Sequence, residues 1–285
     1  MLLQAQDSLL LVVDVQEKLV PALNDASQTV AHIKWLLEAA RLAAIPVLFS
    51  EQYPQGLGST LPCLRQMAPE SPLLSKTAFS CVAAGCLEGT NLPRQVVLCG
   101  IEAHVCVLQT ALDLLAAGRE VFVVADAIDS RSCEDKSLAL ARLEAAGVTV
   151  ISREMALFEW LRDAKAPAFR EASRQLLQAE PRLSFAEILT TLPRIDHLAA
   201  LQLWRDGRLD SVIENKPGQQ GSLAIYHALH RRFGAITPKA ARLGQRLYGE
   251  HADDAHLHPG KHPNIDRLFA LETMGGGYGV RLISH

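Results

Sequence analysis

The chain has 285 residues, of which 49% are hydrophobic and 21% are charged, and its formal net charge is -3. This composition is typical of a soluble globular protein and excludes a largely disordered chain. The basic residues are scattered among acidic ones rather than gathered in blocks, so the sequence predicts no nucleic-acid partner.

The first residues, 1–20, contain an apolar run that Asp7 and Asp14 interrupt and that no basic segment precedes. They predict neither a signal peptide nor a membrane span, and we expect a cytoplasmic protein without a membrane partner. The six cysteines, at positions 63, 81, 86, 99, 106 and 133, lack the spacing of zinc ligands. We expect most of them to be reduced, buried thiols.

Short apolar runs alternate with amphipathic stretches through the first half of the chain. Strands are predicted at 8–13, 45–50, 94–100, 120–126 and 148–152, and helices at 27–43, 104–118 and 134–146. Such alternation is typical of parallel strands joined by crossover helices, and strands that are apolar throughout require helices on both faces of the sheet. The predicted fold is therefore α/β, a doubly wound sheet in a three-layer sandwich, with ligands expected at the carboxyl ends of the strands.

The composition changes in the second half of the chain. A polar helical stretch broken by Pro167 and Pro181 is predicted to end a first domain at residues 1–178. Residues 184–285 are predicted to form a small α+β domain, with a hairpin around Asp206-Gly207. Its other predicted elements are helices at 222–233, 238–252 and 265–274, a histidine-rich loop and a final strand at 278–284.

Two features of the second domain invite a functional reading. Ser222 follows Gly221 at a predicted helix start, where an N-cap is a better explanation than an anion site because no phosphate-binding pattern is present. His251, His256, His258 and His262 lie close in sequence. Their spacing matches no familiar metal site, so a solvated loop is favoured over metal binding.

Cys106 lies at the first turn of a helix that directly follows a predicted buried strand. Free amides and the positive end of the helix dipole are expected there to lower the pKa of the thiol, and the backbone N–H groups of Glu102 and Cys106 could receive an oxyanion. Asp14, at the end of the first strand, is a better base than His104, and Lys76 would complete the set. Taken singly, each has an ordinary explanation: an inert core thiol, a strand-end cap and a solvated lysine.

Four segments resemble the isochorismatase-like cysteine hydrolase superfamily: "LVVDVQEKL", "SEQYPQGLGSTLPCL", "SKTAFSC" and "VVLCGIEAHVCVLQTALDLLAAGREVFVVADAIDSRS". The resemblance covers about residues 5–178 and is greatest to the branch called isochorismatase domain-containing proteins. It implies a six-stranded parallel sheet and an Asp14, Lys76 and Cys106 triad. It also implies a cis peptide bond between Ile101 and Glu102, orienting an amide into the oxyanion hole. The second domain resembles a bacterial family of unknown function.

One departure from the superfamily concerns metal. Its nicotinamidases bind a metal through an Asp and several His after the second strand, and "SEQYPQGLGS" contains no histidine. We therefore expect no metal and no cofactor. True isochorismatases replace the cysteine, so Cys106 favours covalent thiol catalysis over vinyl-ether hydrolysis.

The leading hypothesis is a metal-independent cysteine hydrolase of a small amide or related carbonyl compound, acting as a homo-oligomer. Gln16 and Phe79 are candidate pocket residues, although packing explains them equally well. The remaining cysteines are interpreted as structural. The alternatives are a binding or scaffold protein whose second domain recruits a partner, and a metal-dependent nicotinamidase.

Overall fold

The computed structural model describes all of residues 1–285, which form two compact units, Met1–Arg182 and Leu183–His285. The division falls inside the segment 178–184, which the sequence left between its two predicted domains. No helix in either unit is both long enough and apolar enough to cross a membrane.

The first unit is built on a six-stranded parallel sheet with the strand order β3-β2-β1-β4-β5-β6. The predicted doubly wound α/β fold is confirmed. The central strands are buried along their whole length, as their continuous apolar sequence requires. The strands are β1 (Ser8–Val13), β2 (Val47–Gln52), β3 (Leu73–Lys76), β4 (Gln95–Ile101), β5 (Glu120–Asp129) and β6 (Thr149–Ile151).

Helices cover both faces of this sheet. They are α1 (Ala26–Leu42), α2 (Pro54–Leu57), α3 (Pro62–Arg65), α4 (Leu108–Ala116), α5 (Cys133–Ala146), α6 (Arg153–Leu161) and α7 (Phe169–Leu176). Helix α1 packs with α6 and α7, and α4 packs with α5. Ser132 caps the start of helix α5, where its hydroxyl accepts two backbone N–H groups. Gly147, in the left-handed conformation, caps its end. The sequence patterns missed β3 and the helices α2, α3 and α6.

The order of the strands creates a switch point between β1 and β4, because the chain leaves β1 toward β2 and returns to the other side of β1 with β4. In doubly wound sheets a crevice opens at the carboxyl ends of the strands at this point. Gly100 permits the close approach of the two strands there. A Cβ atom at Gly100 would lie 2.2 Å from the carbonyl oxygen of Val13, and its φ of 131° lies in a region that other residues rarely adopt.

The chain between β4 and α4 differs from the prediction. All peptide bonds are trans, so the predicted cis bond between Ile101 and Glu102 is wrong. The reversal of the chain comes instead from Glu102, which adopts the left-handed conformation with φ 54° and ψ 60°. A π-helical turn, Ala103–Val107, follows and leads directly into α4. Such π-helical turns are frequent at functional sites.

The second unit combines a small antiparallel sheet with helices, as predicted. Its strands pair in the order β8-β7-β9. The hairpin turn at Asp206 and Gly207 has positive φ at both positions, the conformation that a two-residue hairpin favours. The strands are β7 (Leu198–Arg205), β8 (Arg208–Glu214) and β9 (Gly279–Ser284), and the helices are α8 (Phe185–Thr190), α9 (Gln220–Phe233), α10 (Pro238–Leu247), α11 (Glu250–Leu257) and α12 (Pro263–Met274).

Two predictions for the second unit are wrong in detail. The helix expected at 238–252 ends at Leu247, because Gly249 takes a positive φ of 52° and redirects the chain. The histidine-rich segment begins with helix α11 rather than forming a loop, and α8 was not predicted.

Candidate active site

Asp14, Lys76 and Cys106 meet at the carboxyl edge of the parallel sheet. Asp14 follows β1, Lys76 ends β3, and Cys106 lies in the π-helical turn after β4. The Lys76 Nζ donates to Asp14 Oδ2 at 2.6 Å, and the Cys106 thiol lies close enough to both side chains for their charges to act on it. All three residues are at most 4% exposed, so the contacts form in a nearly dry environment.

Asp14 is held by contacts to the neighbouring strand. Its backbone has a φ of 56°, and its N–H donates to the carbonyl of Ser50 on β2. The Ser50 hydroxyl donates to Asp14 Oδ1 at 2.7 Å. Each carboxylate oxygen therefore has a donor, which orients the carboxylate within the cleft.

Lys76 donates three hydrogen bonds, the full capacity of an ammonium group. Besides Asp14, it donates to Gln52 Oε1 at 2.7 Å and to the carbonyl of Phe79 at 3.0 Å. Burial by itself would lower the pKa of Lys76, but the charge of Asp14 and its hydrogen bond outweigh this effect, and the pKa is raised. Lys76 is therefore a cation at neutral pH, and its charge balances Asp14.

Ser50 and Gln52 were not predicted as site residues. They lie two positions apart on β2, so their side chains project from the same face of the strand toward Asp14 and Lys76. The signal was a run of three polar residues, Ser50 to Gln52, at the end of an apolar strand. Glu51, between them, turns the other way and accepts the N–H and the hydroxyl of Thr60.

The pKa of Cys106 differs from the prediction. It is raised to about 12, first because the thiol is buried and second because the negative charge of Asp14 lies beside it, while Lys76 lowers it only in part. The predicted lowering of this pKa is wrong, because burial and Asp14 outweigh the local effect of the helix terminus. The resting group is a protonated thiol next to a carboxylate.

Glu102 has an unexpected side-chain environment. Only 7% of the residue is exposed, and its Oε1 accepts from Arg131 Nε at 3.0 Å. Burial is the largest cause that raises the pKa of its carboxyl group, and Arg131 opposes that shift. His104 lies 3.0 Å from the hydroxyl of Ser130, in a polar group with Glu102.

Gln16 and Phe79 have different surroundings from each other. Gln16 is fully buried and bonded to backbone groups: its amide donates to the carbonyls of Gln52 and Gly58 and its oxygen accepts the Gln52 N–H. These bonds brace the segment after β2. Phe79 is 52% exposed, and the group it contributes beside Lys76 is its backbone carbonyl.

No group of three or more His, Cys, Asp or Glu side chains is arranged to hold a metal ion. In the second unit, Asp254 accepts from Lys261, His262 and His258, which makes an ion-pair cluster. The hydrogen bond from Lys261, followed by that from His262, holds the pKa of Asp254 well below its usual range. The histidines at 256 and 251 contact the rings of Phe269 and Phe185.

The start of α9 is packed rather than open. A Cβ atom at Gly221 would lie 2.7 Å from the ring of Phe185, and the Ser222 hydroxyl accepts from Tyr248 at 2.8 Å. All six cysteines are free. Cys81, Cys99 and Cys106 are buried, Cys63 and Cys86 are partly exposed, and Cys133 is exposed. Half of the cysteines are therefore buried, whereas the sequence predicted that most would be.

Comparisons with known proteins agree with this architecture. Residues 8–155 match the isochorismatase domain family, and residues 185–282 match a family described as an uncharacterized protein conserved in bacteria (DUF2322). Isochorismatase domain-containing protein 2 of Danio rerio is 38% identical over 195 residues, covering 67% of this chain and 97% of the relative.

Two solved structures are similar to the first unit. The MAR1 ribonuclease from Caenorhabditis elegans is 36% identical, with a TM-score of 0.60 over 64% of this chain and 95% of that one. YcaC from Pseudomonas aeruginosa, solved with hexane-2,5-diol and covalent acrylamide, is 25% identical, with a TM-score of 0.57 over 62% of this chain and 92% of that one.

Proposed function

The chain belongs to the isochorismatase family of hydrolases, and we propose that it is a cysteine hydrolase that cleaves a small amide or a related carbonyl compound through a covalent thioester. The observation that carries the proposal is the buried group of Asp14, Lys76 and Cys106, in which a hydrogen-bonded carboxylate and ammonium group lie beside one thiol. A nucleophile in contact with a base that is itself oriented by a third group is the arrangement that covalent catalysis requires.

The raised pKa of Cys106 assigns the role of base to Asp14. Because the thiol is protonated at neutral pH, sulfur attack on the substrate carbonyl carbon is coupled to proton transfer from Cys106 to Asp14. Lys76 stays charged beside Asp14 throughout, and its positive charge stabilises the negative charge that develops on the Cys106 sulfur.

The remaining steps follow from the same groups. The tetrahedral oxyanion is received by the backbone N–H groups of Glu102 and Cys106 at the turn after β4. Asp14 returns its proton to the leaving nitrogen as the C–N bond breaks. It then takes a proton from the water that attacks the thioester and delivers it to the Cys106 sulfur as the C–S bond breaks, which releases the acid and regenerates the thiol.

The proposal is tested with a panel of small amides and esters. Cys106→Ala is expected to lower kcat/KM on any confirmed substrate by roughly a thousandfold or more, since it removes the nucleophile. Cys99→Ala is the matched control, because Cys99 is another buried cysteine, on β4 and outside the site, and is expected to retain activity. A Cys106→Ala protein as active as the wild type would contradict the mechanism.

Detection of the acyl-enzyme is a second, independent test of the proposal. A covalent acrylamide is present in the structure of the related YcaC, and acrylamide is a thiol-reactive reagent. We expect a substrate-derived acyl adduct on Cys106 in acid-quenched turnover mixtures, detected by mass spectrometry. A binding or scaffold protein would give neither turnover nor an adduct, and that result would favour the alternative function.

RNA and metal are included in the panel as contrasting cases. A relative at 36% identity bears the name ribonuclease, but the ammonium group in this site is already bonded to Asp14, Gln52 and Phe79 rather than available to a phosphate. RNA cleavage abolished by Cys106→Ala, or activity lost on chelation and restored by zinc, iron or manganese, would overturn the proposal.

A further inference from the structure

The segment that links β3 to β4 carries two cysteines in contact with each other. The Cys86 Sγ donates to the carbonyl oxygen of Cys81 at 3.2 Å, which places the two residues in direct contact. Cys81 is fully buried and its N–H donates to the Thr110 hydroxyl at 3.1 Å, which fixes its position. Cys86 is partly exposed. One thiol of the pair is therefore anchored, while the other is open to small reagents.

The two thiols have different acidities. The hydrogen bond that the Cys81 thiol can donate to a Cys86 thiolate is the main cause that lowers the pKa of Cys86 to about 7. The charge of Lys76 lowers it further, while burial and Asp14 oppose the shift. The same hydrogen bond, followed by burial, raises the pKa of Cys81 far above its ordinary value. Cys86 is therefore the sulfur that deprotonates more readily, giving up its own bond to the Cys81 carbonyl, while Cys81 stays a thiol.

This arrangement matches the requirements for reversible oxidation. A reactive cysteine needs thiolate character and access, and it forms a disulfide rapidly when a second cysteine lies beside it. Neither thiol takes part in the proposed hydrolysis. Cys99 illustrates the contrast, because burial alone raises its pKa, to a value above its ordinary range, and it lies inside the sheet.

We propose that Cys81 and Cys86 form a modification site in which hydrogen peroxide or a related hydroperoxide oxidises the two thiols to an intramolecular disulfide. The Cys86 sulfur attacks one peroxide oxygen, the O–O bond breaks, and the departing hydroxide takes a proton to become water, which leaves a sulfenic acid on Cys86. The Cys81 sulfur then attacks the Cys86 sulfur, and the displaced hydroxide leaves with the Cys81 proton as a second water. The two thiols lose two electrons and the peroxide gains them.

The site adjoins the proposed catalytic groups without depending on them. The carbonyl of Phe79, two residues before Cys81, accepts a hydrogen bond from Lys76. A disulfide would therefore restrain the segment that contacts this ammonium group. Because the chemistry is followed on the thiols themselves, its outcome is separate from the outcome of the substrate panel.

Peptide mapping of the full chain after treatment with hydrogen peroxide tests the proposal. Trypsin cuts after Lys76 and Arg94, so residues 77–94 contain Cys81 and Cys86 and no other cysteine. We expect this peptide to lose the mass of two hydrogen atoms, to resist alkylation, and to recover both thiols with dithiothreitol. Its oxidation to a disulfide is expected to be at least about fivefold faster than oxidation of exposed Cys133, because Cys81 lies beside Cys86 as a second thiol.

Serine variants separate the two roles. Cys81→Ser is expected to stop at a sulfenic acid on Cys86 that dimedone traps, and Cys86→Ser is expected to leave Cys81 reduced. Cys133→Ser is the matched control and keeps the disulfide, and circular dichroism checks that each variant is folded. A cross-link to residues 95–119, which carry Cys99 and Cys106, would overturn the proposal. So would oxidation of Cys133 while Cys81 and Cys86 both stay reduced.

Discussion

Asp14 and Lys76 form an ion pair whose side chains are both fully buried, at an Nζ to Oδ2 distance of 2.6 Å. Removing water from two charges is costly, and their attraction together with the bonds to Ser50, Gln52 and Phe79 offsets that cost. The pair is therefore maintained as a unit: each charge is tolerated in the interior because the other is present. The same charges surround the thiol that we propose as nucleophile.

Breaking this pair is expected to destabilise the first unit strongly. Lys76→Met leaves a buried carboxylate without its cation and should cost about 3 to 5 kcal/mol in the free energy of unfolding. Denaturant titration followed by Trp35 and Trp160 fluorescence, in a Trp204→Phe background, reports on this unit alone.

Two comparisons sharpen that experiment. The double variant Asp14→Asn with Lys76→Met removes both charges and should cost much less than the two single changes added together. Arg94→Ala breaks two ion pairs of a half-exposed arginine, with Asp7 and with Glu120, and should cost less than about 1 kcal/mol. Additive effects of the two buried substitutions would show that they do not act as a pair.

At the scale of elements, the site depends on how closely β4 approaches β1. The strands are in register from Ser8 opposite Gln95 to Val13 opposite Gly100, and the residues that follow them carry Asp14 and Cys106. A side chain at Gly100 would separate the strands at the point where those two functional groups must meet. The glycine is thus required by packing as well as by its backbone conformation.

Gly100→Ala is expected to lower the free energy of unfolding of the first unit by about 3 kcal/mol, because the new methyl group overlaps the Val13 backbone and the φ value is strained. Thermal or denaturant unfolding measures this effect. Gly118→Ala is the matched control, since Gly118 also has a positive φ but no atom within 4 Å of an added Cβ, and it should cost only about 1 kcal/mol. Equal costs at the two positions would refute the packing argument.

At the scale of the whole molecule, the second unit contains its own acid-sensitive residue. His227 lies on α9, is 4% exposed, and its Nδ1 has no hydrogen-bond partner. The pKa of His227 is lowered to about 4, and burial is the main cause. The positive charges of Arg231, His197 and His230 lower this pKa further. His227 is therefore neutral in the folded protein at pH values where the unfolded chain would protonate it.

The stability of the second unit is expected to fall as the pH drops from about 6.5 to about 4. In that window the unfolded chain binds a proton at His227 that the folded chain does not, so the free energy of unfolding decreases, by about 3 kcal/mol at most. Fluorescence of Trp204, in a background with phenylalanine at 35 and 160, follows this unit. His227→Gln should flatten the dependence, and an unchanged slope in that variant would rule out His227 as its source.

Local patterns were sufficient for several elements. The sequence predicts β1 at residues 8–13 and the hairpin at Asp206-Gly207, and the structure confirms both. It also predicts that Cys106 follows the carboxyl end of a buried strand, and Cys106 lies in the π-helical turn directly after β4. These features depend on the continuous burial of apolar residues and on the conformations that particular residues allow, and both are encoded over a few positions.

Other features depend on residues far apart in the chain. Strand β3 escaped prediction because it has four residues, is half exposed at the edge of the sheet, and shows no apolar run. Its last residue is nevertheless Lys76, whose partners come from β1 and β2. The family resemblance of "SKTAFSC" pointed to Lys76, but no local pattern shows that its charge is balanced by a carboxylate 62 residues away.

The amino-acid sequence alone is enough for the fold class, the family resemblance and the residue types available for chemistry, because apolar periodicity and short motifs are local properties of the chain. Only the tertiary structure decided the state of Cys106: burial and Asp14 raise its pKa, although its place at a helix start predicted the reverse. The tertiary structure also decided that Glu102 turns the chain through a left-handed residue with a trans bond. The physical reason is that pKa values and backbone reversals depend on which groups surround a residue, and those groups are brought together only when the strands pair.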